Sequence, residues 1–173
     1  MSPRAREVHW CMHLNRWGGR RRVMRFFAVV SRLGDGYLWY ALIATLPVFG
    51  GAVGARASLH LAAVALVSLA LYRGLKRWTR RPRPFASHAA ITAWVAPLDE
   101  FSFPSGHTLH AVTFTLVACW YLPWLAVLLV PFAVAVALSR VVLGLHYPSD
   151  VLAATVIGCA LALGSIELAA LLP

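Results

Sequence analysis

Long apolar runs constrain this sequence more than any other feature. Of its 173 residues, 60% are hydrophobic and the mean hydropathy is +0.70, whereas ordinary soluble domains hold roughly 45–50% apolar residues. The excess is gathered into five runs, at residues 37–53, 57–75, 106–122, 124–138 and 149–172. Each run approaches the ~20 residues with which a helix crosses a bilayer core. The sequence therefore predicts an all-α, polytopic membrane helical bundle with about five transmembrane helices, and it argues against an ordinary soluble domain.

The first 36 residues have a different character, with eight arginines and no sustained apolar run. Arginines alternate there with phenylalanine and valine, a pattern typical of an amphipathic helix that lies in the membrane interface. The Gly34-Asp35-Gly36 triplet is expected to end this helix. We therefore divide the chain into an N-terminal interfacial segment, 1–36, and a transmembrane domain, 37–173.

Charge and cysteine content narrow the function classes. The net charge of +10 could indicate nucleic-acid binding, but no soluble domain is expected that would carry a basic groove, and membrane proteins place Lys and Arg at the cytoplasmic surface. The three cysteines, Cys11, Cys119 and Cys159, are scattered without metal-ligand spacing. His110 follows His107 by three residues, but no carboxylate stands at ligand spacing, so a packed histidine is expected. No nucleic-acid partner, metal or cofactor is therefore predicted.

Three polar clusters interrupt the apolar runs, and the alternating direction of consecutive spans places all three on one membrane face. The first is the stretch 76–84, Lys-Arg-Trp-Thr-Arg-Arg-Pro-Arg-Pro, with five cations. By itself it could be a basic loop attracted to acidic lipid. The second is Pro104-Ser105-Gly106-His107 at the head of the third run. A serine cap and a glycine at a helix start leave backbone N–H groups free for an anion, although a plain helix cap explains the same residues.

The third cluster runs from Ser139-Arg140 to His146 and Asp150, where the fourth apolar run meets the fifth. Arg140 carries a fork of donors suited to phosphate oxygens. Because Asp150 follows His146 by four residues at a helix start, its carboxylate can accept from one imidazole nitrogen and leave the other free as a nucleophile. A structural His–Asp pair is the alternative for this cluster by itself.

Together the three clusters resemble the signature of the type 2 phosphatidic acid phosphatase (PAP2) family, which shares its site with vanadium haloperoxidases and bacterial acid phosphatases. The family pattern is a Lys, six residues and Arg-Pro, then Pro-Ser-Gly-His, then Ser-Arg, five residues, His, three residues and Asp. This sequence matches every defining position between residues 76 and 150. The resemblance implies a PAP2/haloperoxidase-like helical core, in which members usually have six transmembrane helices, one more than the number predicted here.

The resemblance also implies a reaction through a phosphohistidine. His146 would attack phosphorus, Asp150 would orient its imidazole, and His107 would protonate the leaving oxygen and later activate water. The remaining site residues would bind the phosphate oxygens and stabilise their charge: Lys76, Arg83, Ser105, Gly106 and Arg140. Since cations already balance the phosphate charge, neither a metal nor a cofactor is implied.

A phosphatase site at the end of a membrane bundle is expected to act on a phosphate whose tail stays in the bilayer. The function predicted is hydrolysis of a lipid or isoprenoid phosphate, with phosphatidylglycerophosphate or phosphatidate as the first choice and undecaprenyl diphosphate as the alternative. A non-catalytic lipid-phosphate binding protein and a small transporter are the alternatives from other classes. The transporter is disfavoured because the charges gather at one face and do not run through the spans.

The side of the membrane is read from charge. All 16 Lys and Arg residues except Arg56 fall on the face of the three clusters, and positive residues favour the cytoplasmic side of the cell inner (plasma) membrane. A periplasmic site remains the alternative, because several of these cations have catalytic reasons to be there. Other charges near the site are expected to contact lipid headgroups or solvent: Arg77, Arg80, Arg81, Asp99 and Glu100.

Overall fold

The computed structural model describes residues 3–171, so Met1, Ser2, Leu172 and Pro173, at the ends of the two predicted domains, lie outside the described residues. Within this range the chain is helical and has no β-strand, which confirms the all-α prediction. The helices are α1 (Pro3–Gly18), α2 (Arg21–Arg32), α3 (Leu38–Thr79), the short α4 (Pro84–Ser87), α5 (Gly106–Tyr121), α6 (Ala126–Val142) and α7 (Pro148–Ala170). A π-helical turn, Leu33–Tyr37, joins α2 to α3, and a 3₁₀ turn, Pro123–Leu125, precedes α6.

Helix α3 consists of two arms, 38–50 and 52–79, that meet at a sharp reversal. Gly51 makes the reversal with φ 54° and ψ −140°, a backbone conformation that residues with a Cβ rarely adopt. The arms run back along each other, since Ser58 Oγ donates to the Ile43 carbonyl at 2.7 Å and a Cβ on Gly54 would lie 1.9 Å from the Leu46 carbonyl oxygen. The sequence interpretation placed this turn at residues 54–56, which is wrong, because Gly54 serves instead to let the two arms touch.

Helix α5 is the centre of the bundle and packs against α3, α6 and α7. Small residues at four-residue spacing on α7 allow the close approach: Ala154, Gly158 and Ala162 are all buried. Thr113 Oγ1 of α5 donates to the Gly158 carbonyl at 3.2 Å. Packing through small side chains is a usual way for helices to associate where lipid removes the hydrophobic drive for association.

The outer surfaces of α3, α6 and α7 are apolar and exposed, as in Phe49, Val127 and Leu152. Among the described residues, three helical stretches are long and apolar enough to cross a membrane: Arg21–Ser87, Pro123–Val142 and Pro148–Ala170. The first of them, 67 residues long, contains the α3 hairpin. Helix α5 has 16 residues and is largely enclosed by its neighbours. Exposed apolar surface of this extent is expected to face lipid.

The N-terminal segment forms two helices and not the single interfacial helix that the sequence predicted. Helix α1 ends at Gly18, and its residues Glu7, Cys11 and Asn15 lie four apart on the face that contacts the protein. Asn15 Nδ2 donates to the carbonyls of Thr92 and Val142, at 2.9 and 3.0 Å. Helix α2 packs along α6. Helix α1 is therefore fixed to the rest of the bundle by polar contacts. Glu7 and Asn15 make these contacts from one face of the helix.

The Gly34-Asp35-Gly36 triplet forms the π-helical turn between α2 and α3. Gly36 has φ 138°, which interrupts the helix as the sequence predicted. Gly34 lies against α6, where an added Cβ would be 3.3 Å from the Val136 side chain. The turn brings Asp35 to the same end of the bundle as the start of α5.

Candidate active site

One cavity of about 670 Å³ opens at this end of the bundle. Six of the eight predicted site residues line it: Lys76, Arg83, Gly106, His107, Arg140 and His146. They come from α3, the loop after it, the start of α5, the end of α6 and the loop 143–147. The other two, Ser105 and Asp150, are completely buried behind the cavity wall. The three clusters of the sequence are therefore brought together in space.

The loop 143–147 holds His146 in place. It turns at Gly144, whose φ of 75° and tight surroundings admit no side chain, since a Cβ would lie 2.3 Å from the Thr92 carbonyl oxygen. Glycine in this conformation is the usual residue just after a helix end. The His146 amide then donates to the Arg140 carbonyl at 3.0 Å. His146 is only 1% exposed, so its ring has one fixed orientation.

The contacts of the His146 ring fix which of its nitrogens carries the proton. Arg83 Nη1 lies 3.2 Å from Nε2. Because a guanidinium can only donate, Nε2 must carry the lone pair and Nδ1 the proton. Burial, reinforced by the positive charges of Arg140, Arg83 and Lys76, lowers the pKa of His146 well below its ordinary value. The imidazole is therefore neutral near pH 7, with a lone pair on the nitrogen that faces the cations.

Asp150 lies in the first turn of α7, with Oδ2 3.7 Å from His146 Nδ1. That distance is longer than a hydrogen bond, but the carboxylate faces the protonated nitrogen. The same oxygen accepts from the Tyr147 amide at 2.8 Å and from the Ser102 hydroxyl. Its other oxygen accepts from Arg81 Nη1 at 2.7 Å. With these partners fixing it, Asp150 can orient His146 and balance positive charge on its ring.

Arg81 is not a headgroup-facing or solvated charge, and that expectation is wrong. Its guanidinium pairs with Asp150 and, at 2.8 Å, with Glu7 of α1. It also lies over the Tyr147 ring, 4.2 Å from the ring centroid. The Ser149 amide donates to Glu7 at 3.0 Å as well. Helix α1 thus supports the loop 143–147 from behind through one partly buried network of carboxylates and Arg81.

Lys76 and Arg83 converge on a single carboxylate oxygen. Asp99 Oδ1 accepts from Lys76 Nζ at 2.6 Å and from Arg83 Nη2 at 2.9 Å. The side chain is exposed to solvent as predicted, but its ion pairs with these two cations were not foreseen from the sequence. Burial acts to raise the pKa of Asp99, but the hydrogen bonds and charges of these two cations outweigh it and hold the pKa below its ordinary value. Two cations directed at one anionic oxygen form an arrangement that a phosphate oxygen can also satisfy.

Arg140 adds a third cation to the cavity and is 2% exposed. Its Nη1 donates to the Ser31 hydroxyl of α2. Its Nε is one of a few buried side-chain atoms in the described part of the chain without a hydrogen-bond partner. An unsatisfied buried donor costs free energy. An anion in the cavity is the partner that fits it.

The start of α5 supplies the remaining side of the cavity. Ser105 Oγ accepts from the Thr108 amide and hydroxyl, at 3.4 and 3.0 Å. It therefore caps the helix, and its part in phosphate binding stays a prediction. Gly106 lies against Tyr72, where a Cβ would be 3.3 Å from the ring. The first amides of α5 have no intrahelical acceptor and point along the positive end of the helix dipole.

The two histidines of α5 differ in their surroundings. His107 Nε2 contacts the Asp35 carboxylate of the π-helical turn. His110 stacks on Phe114 with ring centroids 5.2 Å apart and meets Tyr72 edge-on, so it has the packed environment expected of it. The contact of His107 with Asp35 was not foreseen from the sequence.

Sequence reasoning missed several partners of the predicted residues: Glu7, Ser31, Asp35, Arg81, Asp99 and Ser102. One feature of the sequence, its small number of acidic residues, could have indicated some of these partners. The chain has only six acidic residues against 16 basic ones, and four of the six contact a cation or histidine of the site: Glu7, Asp35, Asp99 and Asp150. A scarce acid near an apolar boundary is expected to have a partner.

Comparison with known proteins agrees with this geometry. Residues 57–170 match the PAP2 superfamily. The chain belongs to this superfamily. It is 35% identical over 131 residues to decaprenylphosphoryl-5-phosphoribose phosphatase of Mycobacterium tuberculosis, covering 75% of this chain and 71% of the relative. The chain is also 44% identical over 68 residues to phosphatidylglycerophosphatase B of Escherichia coli. This shorter match covers 35% of this chain and 26% of that protein.

The fold of this PAP2 protein also matches a solved structure. The crystal structure of a transmembrane PAP2-type phosphatidylglycerolphosphate phosphatase from Bacillus subtilis superimposes with a TM-score of 0.82 at 22% identity, covering 98% of this chain and 87% of that one. At this identity the match shows the fold alone. Family, relatives and fold together confirm that the chain is a membrane lipid phosphatase.

Proposed function

We propose that this PAP2 phosphatase hydrolyses a phosphate monoester of a membrane lipid through a phosphohistidine on His146. The observation that supports it most is the position of Arg83. One guanidinium contacts Nε2 of His146 through Nη1 and the Asp99 carboxylate through Nη2. A phosphate group that takes the place of the Asp99 carboxylate would therefore lie one guanidinium width from the nucleophilic nitrogen, with its charge balanced.

The proposed reaction has two steps. In the first, His146 Nε2 attacks phosphorus, the N–P bond forms, and the P–O bond to the lipid breaks while His107 donates a proton to the leaving oxygen. In the second, His107 takes a proton from water, which attacks phosphorus and breaks the N–P bond. Asp150 accepts from the Nδ1 proton of His146 as positive charge develops on that ring. The cations and the first amides of α5 stabilise the equatorial oxygens.

The residues that line the cavity support a substrate with a phosphate headgroup and a hydrocarbon tail. Beside its cations, the cavity is lined by apolar residues of α3 that include Trp39, Ile43, Leu66 and Leu69. A cavity with cations on one side and apolar residues on the other suits a lipid whose phosphate headgroup meets the cations and whose hydrocarbon tail lies against α3. We propose glycerolipid phosphates, such as phosphatidylglycerophosphate and phosphatidate, as the first substrate class. Polyprenyl-linked phosphates are the second, favoured by the long match to the mycobacterial phosphatase.

We propose five transmembrane segments: the two arms of α3, then α5, α6 and α7. The site then lies at one end of the bundle, with the segment 1–36 over it at the membrane surface and the domain 37–173 forming the bundle. Among the residues that the structure describes, Arg56 at the α3 hairpin is the one Lys or Arg at the opposite end, so the positive-inside rule favours a cytoplasmic site in the inner (plasma) membrane.

The function is tested by phosphate release from the detergent-purified protein in EDTA. The substrates are phosphatidylglycerophosphate, phosphatidate, diacylglycerol diphosphate, and undecaprenyl mono- and diphosphate. We expect release from the monophosphates, and the ranking identifies the lipid class. Activity that disappears in EDTA and returns with magnesium would contradict a site that relies on its own cations.

Asp99→Asn is expected to tighten competitive inhibition by inorganic phosphate. The Asp99 carboxylate forms ion pairs with Lys76 and Arg83. It therefore competes with a phosphate for these two cations. Since Asp99 is 41% exposed, solvent screens this competition, and the inhibition constant is expected to fall only about 3- to 10-fold. The measurement is the inhibition constant of phosphate at low ionic strength.

Glu100→Gln is the matched control for Asp99→Asn, because it removes an exposed carboxylate that lines the same cavity, whereas the ion pairs with Lys76 and Arg83 are made by Asp99. It is expected to change the inhibition constant by less than about twofold. Weaker phosphate inhibition in Asp99→Asn would mean that the carboxylate positions the two cations and does not compete with the ligand.

A further inference from the structure

Asp35 reaches the cavity because the chain is kinked where it lies. The π-helical turn Leu33–Tyr37 with its non-helical Gly36 directs the carboxylate toward the start of α5. Gly34 lies beside the same contact, since an added Cβ would be 3.7 Å from Cδ2 of His107, an ordinary contact distance, and 3.3 Å from Val136. The exposed fraction of the side chain is 24% for Asp35 and 10% for His107. The contact therefore lies at the mouth of the cavity, with the Asp35 carboxylate partly open to solvent and the His107 ring mostly covered.

The atoms in contact determine which ring nitrogen of His107 is free. Asp35 Oδ1 meets Nε2, and a carboxylate can only accept, so Nε2 carries a proton in this pair. The nitrogen that remains for the substrate is Nδ1, on the side of the ring nearer the backbone and the first turn of α5. The pair at His146 has the opposite arrangement, with Asp150 facing Nδ1 and Nε2 left free.

We infer that Asp35 is a positioning residue for His107, forming a second Asp–His pair in which Nε2 is anchored and Nδ1 exchanges protons with the substrate. The inference rests on the proposed function and deepens it. In the first step the imidazolium gives its Nδ1 proton to the leaving oxygen, and the neutral ring keeps Nε2–H on Asp35. In the second step Nδ1 takes a proton from the attacking water, and the imidazolium is restored beside the carboxylate.

The charges around the pair agree with this role. Arg140 lines the same cavity and, without Asp35, would oppose positive charge on His107. A carboxylate in direct contact with Nε2 offsets that repulsion when the imidazolium forms. The N-terminal segment, which lies outside the motif residues 76–150, thereby contributes to the acid–base residue of the reaction.

The inference is tested with Asp35→Asn and two substrates whose leaving groups differ. p-Nitrophenyl phosphate has a leaving group that departs without a proton, whereas a long-chain alkyl phosphate requires one. For p-nitrophenyl phosphate we expect the burst of p-nitrophenolate in stopped flow to keep its rate within about threefold, while the steady phase slows roughly 10- to 100-fold. Turnover of the alkyl phosphate is expected to slow by a similar factor. The control Glu167→Gln, which removes a carboxylate near the end of α7, is expected to leave both phases unchanged.

Equal slowing of burst and steady phase would overturn the inference, because it would indicate a purely structural role, and so would unchanged kinetics in both phases. A second measurement places Asp35→Asn in the His107→Ala background, where it is expected to cause no further slowing of the steady phase; a further loss as large as in the wild-type background would also overturn the inference. If Asp35→Asn does not purify in folded form, Asp35→Glu, which keeps the charge but displaces the carboxylate, is judged by the same comparison. A wild-type protein that releases no phosphate would instead refute the proposed function.

Discussion

Replacing His146 with alanine is expected to abolish phosphate release, lowering kcat by at least roughly 10⁴-fold on every substrate. His146 Nε2 is the nitrogen whose lone pair lies beside the converging cations, at 3.2 Å from Arg83 Nη1. The proposed N–P bond cannot form without it. The cations and helix amides remain in the variant, so inorganic phosphate is still expected to bind. The measurement combines phosphate release with phosphate binding by calorimetry on the same detergent preparation.

His60→Ala is the matched control for His146→Ala. His60 contacts the Tyr121 hydroxyl at 3.2 Å near the far end of α5 and does not line the cavity, so most of the activity is expected to remain. Substantial turnover in His146→Ala would contradict the assignment of the nucleophile. Absence of turnover in the wild-type protein, together with retained phosphate binding, would favour a lipid-phosphate binding protein over an enzyme.

Replacing His107 with alanine is expected to trap phosphate on the protein. The variant lacks the acid that protonates a lipid alkoxide, so its turnover of lipid substrates is expected to fall roughly 10²- to 10⁴-fold. With p-nitrophenyl phosphate the first step needs no acid, whereas hydrolysis of the intermediate lacks its base. Acid-labile ³²P is therefore expected to accumulate on His107→Ala after brief incubation with a labelled aryl phosphate.

Adding His146→Ala to His107→Ala provides the control for the trapped label. The double variant is expected to carry no ³²P, because the atom that would form the N–P bond is missing. Residual turnover by His107→Ala without any acid-labile label would count against the phosphohistidine and against the two roles assigned to His107. Label that persists in the double variant would locate the covalent bond elsewhere.

The motif residues could be placed together from the sequence because their positions follow from local rules. His146 and Asp150 lie four apart around the start of α7, so their proximity depends on one turn of chain. Lys76, His107 and Arg140 come from separate elements, but consecutive spans alternate in direction and return these residues to one end of the bundle. For these reasons the structure places Lys76, His107, Arg140 and His146 around one cavity, with Asp150 buried behind its wall.

The hydrogen bonds and ion pairs between the motif residues and side chains elsewhere in the chain could not be predicted in the same way. Asp35 and His107 are separated by 72 residues, and Arg81 and Asp150 by 69. Whether a loop arginine faces lipid or a buried carboxylate depends on how α1 and the loop after α3 pack, which no spacing rule specifies. The scarcity of acids indicated that each would have a partner, but not which cation or histidine it would be.

Apolar run lengths, alternating spans and motif spacing determined by themselves the helical membrane fold, the family and the meeting of the motif residues at one end of the bundle. These features depend on the length of chain that crosses a bilayer and on the repeat of a helix. Tertiary structure alone decided that the α3 reversal lies at Gly51, that Glu7 of α1 contacts Ser149 and Arg81 beside the loop 143–147, and that Asp35 meets His107. The physical reason is that these features depend on backbone conformation and on ion pairing between distant segments, where several cations compete for few carboxylates and packing selects the pair.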